Sequence, residues 1–481
     1  MNSSNVHSAN IAPPLCVDLD GTLVHTDLLF ENLAAALAKR PLIIFLFPFW
    51  LVKGRAYFKE RLSAFVKFDP ALLPYDDRVV DYLKQERAKG RGLILATASE
   101  RSQADAIAQH LGCFDAVFAT ENGVNLKGSN KASVLSTTFA RFSYLGNHAS
   151  DMKIWRLAET VGIANAPPRL AKRVAEKHQV EVMFPRKGGF SRSILRALRP
   201  YQWAKNLLVF IPIITSSNIT DVSAWLTALV IFAAFSMVAS GVYVLNDLTD
   251  LSADRRHPRK RNRPFASGSL PVALGLVLAP ALLIVGLAIA LLEGALVVVG
   301  LYVVVSIIYT VRAKELPLVD LFCLTFLYVI RIYAGGLVTG NFISNWLLGF
   351  SAFFFLGLAF IKRVTELSSD HNASPKNRRR GYYADDKNAL MVMGLCSSFA
   401  SCVLLALFVQ SPEIAAKYQF PPALWMLVPL LLFWQLRLWL STLRGYMLDD
   451  PIVYAAKDWV SWVVFLSTAA IMTVAHSAPM L

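Results

Sequence analysis

Hydrophobic residues are distributed unevenly along this chain. From about residue 199 onward, long apolar runs alternate with short polar connections, whereas the first 186 residues carry only short apolar runs. An apolar run of about twenty residues is long enough to cross a bilayer as a helix. The pattern therefore predicts a soluble N-terminal domain followed by an all-α, polytopic membrane domain. We expect nine spans, at 203–219, 222–245, 270–291, 295–311, 317–338, 345–361, 388–410, 421–440 and 459–477.

The short apolar runs of the N-terminal part have the length of buried strands. They predict strands at Leu15–Leu19, Gly92–Ala96, Asp115–Ala119 and Phe142–Gly146. Helical patterns separate these strands, which indicates an α/β domain with a doubly wound parallel sheet. We expect this domain at 1–186, a helical cap inserted at about 27–89, a basic linker at 187–198 and the membrane domain at 199–481.

One segment of the predicted cap is apolar throughout. Residues 41–52 read PLIIFLFPFWLV and have Lys or Arg on both flanks. The segment is too short to span a bilayer. It can lie in the membrane interface through Phe45, Phe47 and Trp50, or it can form the buried core of the cap. The sequence leaves both readings open.

Composition and charge agree with a large membrane part. Apolar residues make up 55% of the chain and the mean hydropathy is +0.46. The net charge is +15, but no nucleic-acid-binding motif accompanies it, so cytoplasmic loops of a membrane protein explain it better. The basic connections place the N-terminal domain and the candidate sites in the cytoplasm and the C-terminus outside. The five cysteines show no metal-binding spacing.

A highly charged stretch, Asn246–Gly268, NDLTDLSADRRHPRKRNRPFASG, directly follows the apolar run of a predicted span. On a continuous helix Asn246, Asp250 and Asp254 lie on one face, and Asp247 belongs to the same face. Stacked carboxylates require a cation, and oxygen ligands favour Mg²⁺. The basic residues that follow suit phosphate groups. A solvated positive-inside loop would explain the arginines but not the stacked acids.

Further polar side chains lie near the cytoplasmic ends of the predicted spans. The candidates are Lys205, Asn206, Tyr309, Arg312, Lys314, Asp320, Arg331, Lys362, Arg363 and Glu366. Arg331 lies deep within its span, where it needs either a substrate phosphate or an ion pair with Asp320. Two sets of anion-binding side chains around a metal predict two phosphate-bearing substrates.

These motifs resemble those of UbiA-type intramembrane prenyltransferases. N-D-x-x-D-x-x-x-D is similar to the first aspartate motif of that family, and the continuation H-P-x-K-R-x-R-P resembles its polyprenyl-phosphate phosphoribosyltransferase branch. The resemblance extends from about Arg196 to the C-terminus and includes K-R-x-x-E-L at 362–367 and a late D-P motif with Asp450, Lys457 and Asp458. The second D-x-x-x-D of aromatic prenyltransferases is not present, since Asp320 stands alone.

The resemblance implies a reaction and roles for these residues. The substrates would be phosphoribosyl pyrophosphate and a polyprenyl phosphate, at a bacterial inner membrane. The catalytic residues would be Asp247, Asp250 and Asp254, and with Asn246 they would hold Mg²⁺. The substrate-binding residues would be Lys205, Asn206, Arg255, His257, Lys260, Arg261, Arg263, Tyr309, Arg312, Lys314, Asp320, Arg331, Lys362, Arg363 and Glu366.

The N-terminal part carries a second set of motifs. D-x-D-G-T directly after a strand, a threonine that ends the next strand, a lysine and G-N-x-x-x-D resemble the haloacid dehalogenase (HAD) phosphatase superfamily. The resemblance implies that Asp18 is the nucleophile and that Asp20 is the general acid and base. The phosphoryl group would contact Thr97 and Lys131, and the Mg²⁺ ligands would be Asp18, Asp20, Asn147 and Asp151.

One position departs from the phosphatase pattern. Asn147 stands where many members of the superfamily have aspartate, so the site has one negative charge fewer. A degenerate domain that only regulates or scaffolds is the alternative to an active phosphatase.

Together the two resemblances predict a two-step enzyme. The membrane domain would attach phosphoribose to the lipid, and the HAD domain would remove the 5-phosphate to give polyprenyl phosphoryl ribose. The alternatives are an aromatic prenyltransferase that uses a polyprenyl diphosphate, and a membrane transporter or scaffold.

Overall fold

The computed structural model describes residues 12–121, 123–186, 188–216, 219–341, 343–369, 381–412, 414, 418–447 and 450–477. Position 187 of the predicted linker and positions 217–218 of the first predicted span lie outside these ranges. The chain forms two compact units. The first comprises Met1–Arg199 and Tyr243–Pro280, and the second comprises Pro200–Val242 and Ala281–Leu481.

The first unit contains a six-stranded sheet in which all strands are parallel. The strands are β1 Leu15–Val17, β2 Leu93–Glu100, β3 Ala116–Thr120, β4 Ser143–Gly146, β5 Val161–Ala164 and β6 Val180–Phe184, in the order β3-β2-β1-β4-β5-β6. The four predicted strands are present, and the doubly wound α/β class is confirmed. The sequence analysis missed β5 and β6.

Helices cover the sheet and form the cap. They are Leu28–Lys39, Phe47–Val52, Arg55–Phe65, Asp77–Ala88, Arg101–Leu111, Ser129–Thr138, Met152–Trp155, Pro168–Ala175 and Phe190–Leu198. The central strand β1 is buried on both faces, as a parallel strand covered by helices should be. β1 and β2 are adjacent in the middle of the sheet and Val17 pairs with Leu95, so Asp18 and Thr97 lie near the same level of the sheet. Strand β2 continues beyond Thr97 to Glu100, so Thr97 does not end its strand as predicted.

The apolar cap segment 41–52 forms a 3-10 turn, Pro41–Leu46, and the short helix Phe47–Val52. Ile43 is buried, whereas Leu42, Phe45, Phe49 and Val52 are between 69% and 88% exposed. Of the three residues considered for the membrane interface, Phe45 faces outward, whereas Phe47 and Trp50 are half-buried and pack against Phe58.

The membrane part is helical, as predicted. Its longer helices are Val222–Thr249, Val272–Leu292, Leu296–Val311, Val319–Thr339, Asn345–Ser369, Asp386–Val409, Leu427–Leu443 and Trp459–Ser477. Shorter helices are Ile211–Ile214, Leu251–Arg256 and Pro451–Lys457. Among the described residues, 3-10 turns lie at Pro41–Leu46, Pro70–Leu72, Ala149–Asp151, Pro200–Phe210, Lys260–Asn262, Ala313–Glu315 and Pro421–Met426.

The structure does not confirm the nine predicted spans. Within the described ranges, 7 helices are long and apolar enough to cross a membrane. The predicted span 295–311 is a helix of only 16 residues. The predicted span 203–219 is not one continuous helix, because the 3-10 segment Pro200–Phe210 precedes a new short helix that begins just before Pro212. Proline cannot supply the backbone donor that a continuous helix would need there.

Candidate functional site

The first group of predicted catalytic residues lies at the carboxyl end of β1. Lys131 Nζ donates a hydrogen bond to Asp18 Oδ1 at 2.7 Å and contacts the Tyr144 hydroxyl at 3.1 Å. Lys131 is 3% exposed. A buried lysine next to a carboxylate can stabilise negative charge on a phosphoryl group that the carboxylate attacks. The structure thus brings Asp18 and Lys131 together as the sequence predicted.

Asp20 lies in a different environment from Asp18. Its Oδ1 accepts from the backbone N–H of Leu28 at 3.0 Å, and its Oδ2 accepts from Ser99 Oγ at 2.7 Å. Burial, followed by the charge of Asp27, raises the pKa of Asp20 to about 7. A carboxyl group with such a pKa is partly protonated near neutral pH and can act as a general acid.

Asp151 and Asn147 form the part of this site that suits a cation. Asp151 accepts hydrogen bonds from the backbone N–H groups of Asn147 and His148, at 3.1 and 2.9 Å. Burial and the charge of Asp18 raise its pKa. Asn147 Oδ1 is buried and has no hydrogen-bond partner.

These residues fit Mg²⁺ through oxygen donors. The carboxylates of Asp18 and Asp151 destabilise each other, and the amide oxygen of Asn147 has no hydrogen-bond partner. A hard cation would stabilise all three groups. In the described part of the chain, no three His, Cys, Asp or Glu side chains are grouped to hold a metal ion alone. A cation here would therefore depend on Asn147 and on backbone oxygen as well as on the acids.

Three residues of this site were missed by the sequence analysis. They are Ser99, which holds Asp20; Tyr144, which contacts Lys131; and Lys59 of the cap. Lys59 Nζ donates to Asn125 Oδ1 at 3.0 Å and to the Ala98 carbonyl at 2.5 Å. Burial lowers the pKa of Lys59, and Asp20 and Asp27 oppose that shift. No motif spacing marks Lys59, because only the folded cap brings it to Asp20.

In the first unit, two aspartates of the motif Asn246–Gly268 form ion pairs with arginines. Arg263 donates to Asp247 at 3.1 Å and to Asp254 at 2.7 Å, and Arg199 also pairs with Asp247. Both acids are 2% exposed. The shared Arg263 confirms that Asp247 and Asp254 lie on one face.

The helix is interrupted at Asp250, but its hydrogen-bond register continues. The N–H of Asp250 donates to the Asn246 carbonyl at 3.0 Å, and the N–H of Asp254 donates to the Asp250 carbonyl at 2.8 Å. The predicted spacing of the motif is therefore kept. The oxygen donors of the motif suit Mg²⁺ chemically, and in this structure Arg199 and Arg263 provide the compensating charge.

The basic residues of the motif lie in different surroundings. Arg255 forms an ion pair with Glu31 of the cap. His257, Lys260 and Arg261 are exposed, and the His257 ring nitrogen accepts from the N–H of Lys260 at 3.3 Å. The structure thus places Arg263 against the acids and Arg255 against the cap.

In the second unit, two predicted phosphate-binding lysines meet one acid. Asp450 Oδ2 accepts from Lys205 at 2.9 Å and from Lys362 at 3.3 Å. Burial opposes ionisation of Asp450, but the charges of Lys362 and Lys205 lower its pKa overall. Asp450 belongs to the late D-P motif, for which the sequence suggested no role.

Arg331 is buried in the second unit, 4% exposed. It donates to Asn206 Oδ1 at 2.7 Å and to the Tyr302 hydroxyl at 3.0 Å. The alternative of an Arg331–Asp320 pair is not what the structure shows. Asp320 instead accepts from Arg363 and, at 2.6 Å, from the Tyr382 hydroxyl.

The remaining candidate residues of this unit form ion pairs or are partly exposed. Arg363 also pairs with Glu366. Tyr309 and Lys314 are half-buried, and Arg312 is exposed and lies 3.9 Å from Glu315. Asp458, the other acid of the late motif, pairs with Arg437 at 2.7 Å and caps the helix Trp459–Ser477.

Comparisons with known proteins agree with both sets of motifs. The UbiA prenyltransferase family matches residues 209–446, and the haloacid dehalogenase-like hydrolase family matches residues 15–156. The chain is 34% identical to "Uncharacterized protein y4nM" of Sinorhizobium fredii over 94% of its own length and 89% of that protein. It is 35% identical to "Nodulation protein NoeC" of Azorhizobium caulinodans, over 57% of this chain and 90% of that protein.

A third relative has a named activity. The chain is 34% identical to decaprenyl-phosphate phosphoribosyltransferase of Corynebacterium glutamicum over 192 residues, which are 39% of this chain and 58% of that protein. The fused architecture that the motifs predicted is confirmed: the chain belongs to the UbiA prenyltransferase family of integral membrane proteins and carries a haloacid dehalogenase-like hydrolase domain at its N-terminus.

Proposed function

We propose that the membrane domain transfers a phosphoribosyl group from phosphoribosyl pyrophosphate to a polyprenyl phosphate. The observation that carries this proposal is the extended motif Asn246–Gly268, and the 34% identity over 192 residues to a decaprenyl-phosphate phosphoribosyltransferase supports it. A basic continuation of this kind suits a donor with several phosphate groups better than it suits an aromatic acceptor.

The acids of the motif are assigned to the metal and the cations to phosphate. Asp247, Asp250 and Asp254, with Asn246, would hold Mg²⁺, and the ion would supply charge stabilisation for a diphosphate leaving group. Arg263 then exchanges its carboxylate partners for phosphate oxygen, and Lys205 and Lys362 exchange Asp450 for the same kind of ligand. The acceptor phosphate is already anionic, so the reaction needs no strong general base.

The HAD domain is assigned the second step. Asp18 attacks the phosphorus of the 5-phosphate, and the bond from phosphorus to the sugar oxygen breaks. Asp20 gives its proton to that oxygen, and Lys131 stabilises the charge on the phosphoryl group. Water then attacks the aspartyl phosphate, loses its proton to Asp20 and releases inorganic phosphate. The product is polyprenyl phosphoryl ribose.

The orientation in the membrane is part of the proposal. The basic connections support a cytoplasmic position for the N-terminal domain and both sites at a bacterial inner membrane, with the C-terminus outside. Both substrates would then be reached from the cytoplasm.

A transfer assay tests the first step. Purified protein in lipid nanodiscs is mixed with Mg²⁺, decaprenyl phosphate and ribose-labelled phosphoribosyl pyrophosphate, and label in the lipid fraction is counted. We expect Asp250→Ala to lower transfer on the order of a hundredfold. Glu293→Ala, at the end of the helix Val272–Leu292, should leave it unchanged. Label-free lipid together with consumption of a prenyl diphosphate and an aromatic acid would instead identify an aromatic prenyltransferase.

A further inference from the structure

The candidate phosphatase residues line a cavity of about 800 Å³. This volume is near the upper end of the ~300–1,000 Å³ range of small-molecule sites. Asp18, Asp20 and Lys131 lie in it, and the cap contributes Leu51 and Lys59. The cavity is thus larger than a phosphate group and a single sugar require.

A part of this cavity is formed by residues outside the hydrolase match. Its lining includes Ser267 and Gly268, which end the acidic and basic motif, and Ser269, Pro271, Val272 and Ala273, which follow it. We name residues 267–273 the closing segment. The closing segment belongs to the same compact unit as the N-terminal domain.

At Gly268, the closing segment contacts His25, which lies in the loop that follows β1. This glycine has a φ of +72°, and a Cβ there would lie 2.4 Å from His25 Cβ and 2.6 Å from the His25 carbonyl oxygen. No side chain fits at that distance, so Gly268 is required for the close approach. His25 is itself a lining residue of the cavity.

Contacts within the closing segment and just before it hold this part of the chain against the cap. Before the segment, Arg255 pairs with Glu31, both largely buried, and Arg255 Nε donates to the Ala266 carbonyl at 2.9 Å. Within the segment, Leu270 and Val272 share one apolar cluster with Ala34 of the first cap helix. Apolar packing of the segment and an ion pair beside it therefore both connect it to the cap.

The lining of the cavity contains both charged and apolar side chains. Asp18, Asp20 and Lys131 are charged, whereas Phe30, Leu51, Phe190, Pro271 and Val272 add apolar surface. An apolar surface beside a phosphoryl-transfer centre suits a ligand that has a phosphomonoester at one end and a hydrocarbon group at the other.

We propose that the closing segment is a substrate-binding part of the phosphatase site, and that this site selects phosphomonoesters carried on a prenyl lipid over soluble sugar phosphates. The proposal rests on the function proposed above, in which the HAD domain hydrolyses a 5-phosphate. It adds that the segment following the transferase motif provides the selectivity of the hydrolase.

The test compares two substrates with the same scissile group, ribose 5-phosphate and farnesyl phosphoryl ribose 5-phosphate. The full-length protein in nanodiscs is assayed for release of inorganic phosphate, and kcat/KM is measured for each substrate. We expect a preference for the prenyl substrate of about tenfold or more, as burial of two or more methylene groups would give.

Two variants are expected to lower that preference about tenfold. Gly268→Ala forces the closing segment away from His25, and Ala273→Trp fills the cavity beside it. Gly112→Ala is the matched control, because Gly112 also has a positive φ, +63°, but a Cβ there meets no atom within 4 Å. Equal kcat/KM values for both substrates in the wild type, or an unchanged preference in both variants, would overturn the proposal. Hydrolysis of neither substrate would refute the phosphatase assignment itself.

Discussion

At the residue scale, two aspartates that are two positions apart have different surroundings, which suit the different roles proposed for them. Asp18 accepts a hydrogen bond from Lys131. Burial and the charge of Asp27 raise the pKa of Asp20 and favour its protonated form, whereas the hydrogen bond from Ser99 opposes this shift. Separated protonation of neighbouring acids is how one site supplies both a nucleophile and a general acid.

The pH dependence of hydrolysis follows from Asp20. The acid form is needed for leaving-group protonation, and the pKa of Asp20 is raised to about 7. We expect kcat for phosphate release to fall about tenfold per pH unit above that value. Stopped-time phosphate assays across the neutral and alkaline range measure this.

A conservative variant serves as the control for this profile. Asp27 raises the pKa of Asp20, so Asp27→Asn should move the fall in activity to lower pH. Asparagine also caps helices, so the helix Leu28–Lys39 should remain intact. A rate that is constant above neutral pH in the wild type would contradict the role of Asp20.

Asn147 gives a second prediction at this scale. Its Oδ1 is buried without a hydrogen-bond partner. Because Asn147→Asp places a negative charge where Asp151 and Asp18 already favour a cation, we expect it to tighten Mg²⁺ binding on the order of tenfold. The rise in the unfolding midpoint of the full-length protein with Mg²⁺ concentration reports this without an activity assay.

The matched control adds the same charge elsewhere. Asn130 is exposed at the start of the helix Ser129–Thr138. Asn130→Asp should leave the Mg²⁺ dependence of the unfolding midpoint unchanged. If Asn147→Asp behaved like Asn130→Asp, the metal assignment of Asn147 would be wrong.

At the element scale, local motifs were predictable and distant partners were not. D-x-D-G-T fixes Asp18 and Asp20 at the end of β1, and a short spacing fixes Asp247 and Asp254 on one face. Lys59, by contrast, reaches Asn125 only through the fold of the cap, 66 positions along the chain. No local periodicity contains that information.

The edge of the sheet and the first predicted span show why elements were missed. Strand β6 alternates between half-buried and exposed residues, and its sequence VEVMF lacks the continuous apolar run of β1. The segment 203–219 has the composition of a span, but Pro212 and the 3-10 run before it prevent one continuous helix. Composition alone therefore overestimated the number of spans.

The cap segment 41–52 gives a prediction at this scale. The outward direction of Leu42, Phe45, Phe49 and Val52 favours contact with the membrane interface over a buried core. In nanodiscs, an environment-sensitive dye on Phe45→Cys should be quenched by spin-labelled lipid. The experiment uses a background in which the exposed Cys396 is replaced by serine.

Leu157 provides the control for this measurement. It is 54% exposed and apolar, but it lies outside the cap segment. A dye on Leu157→Cys should not be quenched. Equal quenching at both positions, or none at Phe45→Cys, would exclude insertion of the cap segment.

At the scale of the whole molecule, the chain folds into two units that do not follow its two sequence families. Residues Tyr243–Pro280 carry the transferase motif, yet they pack with the N-terminal unit. The ion pair Arg255–Glu31 joins positions 224 apart in the sequence. The motifs predicted both activities. The packing of residues Tyr243–Pro280 with the N-terminal residues depends on tertiary contacts that no motif encodes.

The most direct measurement uses phosphoribosyl pyrophosphate labelled separately in the ribose and in the 5-phosphate. It is incubated with Mg²⁺, decaprenyl phosphate and either wild-type protein or Asp18→Asn in nanodiscs. We expect ribose label in the lipid for both proteins, and 5-phosphate label released as inorganic phosphate by the wild type alone. Lipid that retains both labels with the wild type would refute the phosphatase step, and lipid without ribose label would contradict phosphoribosyl transfer.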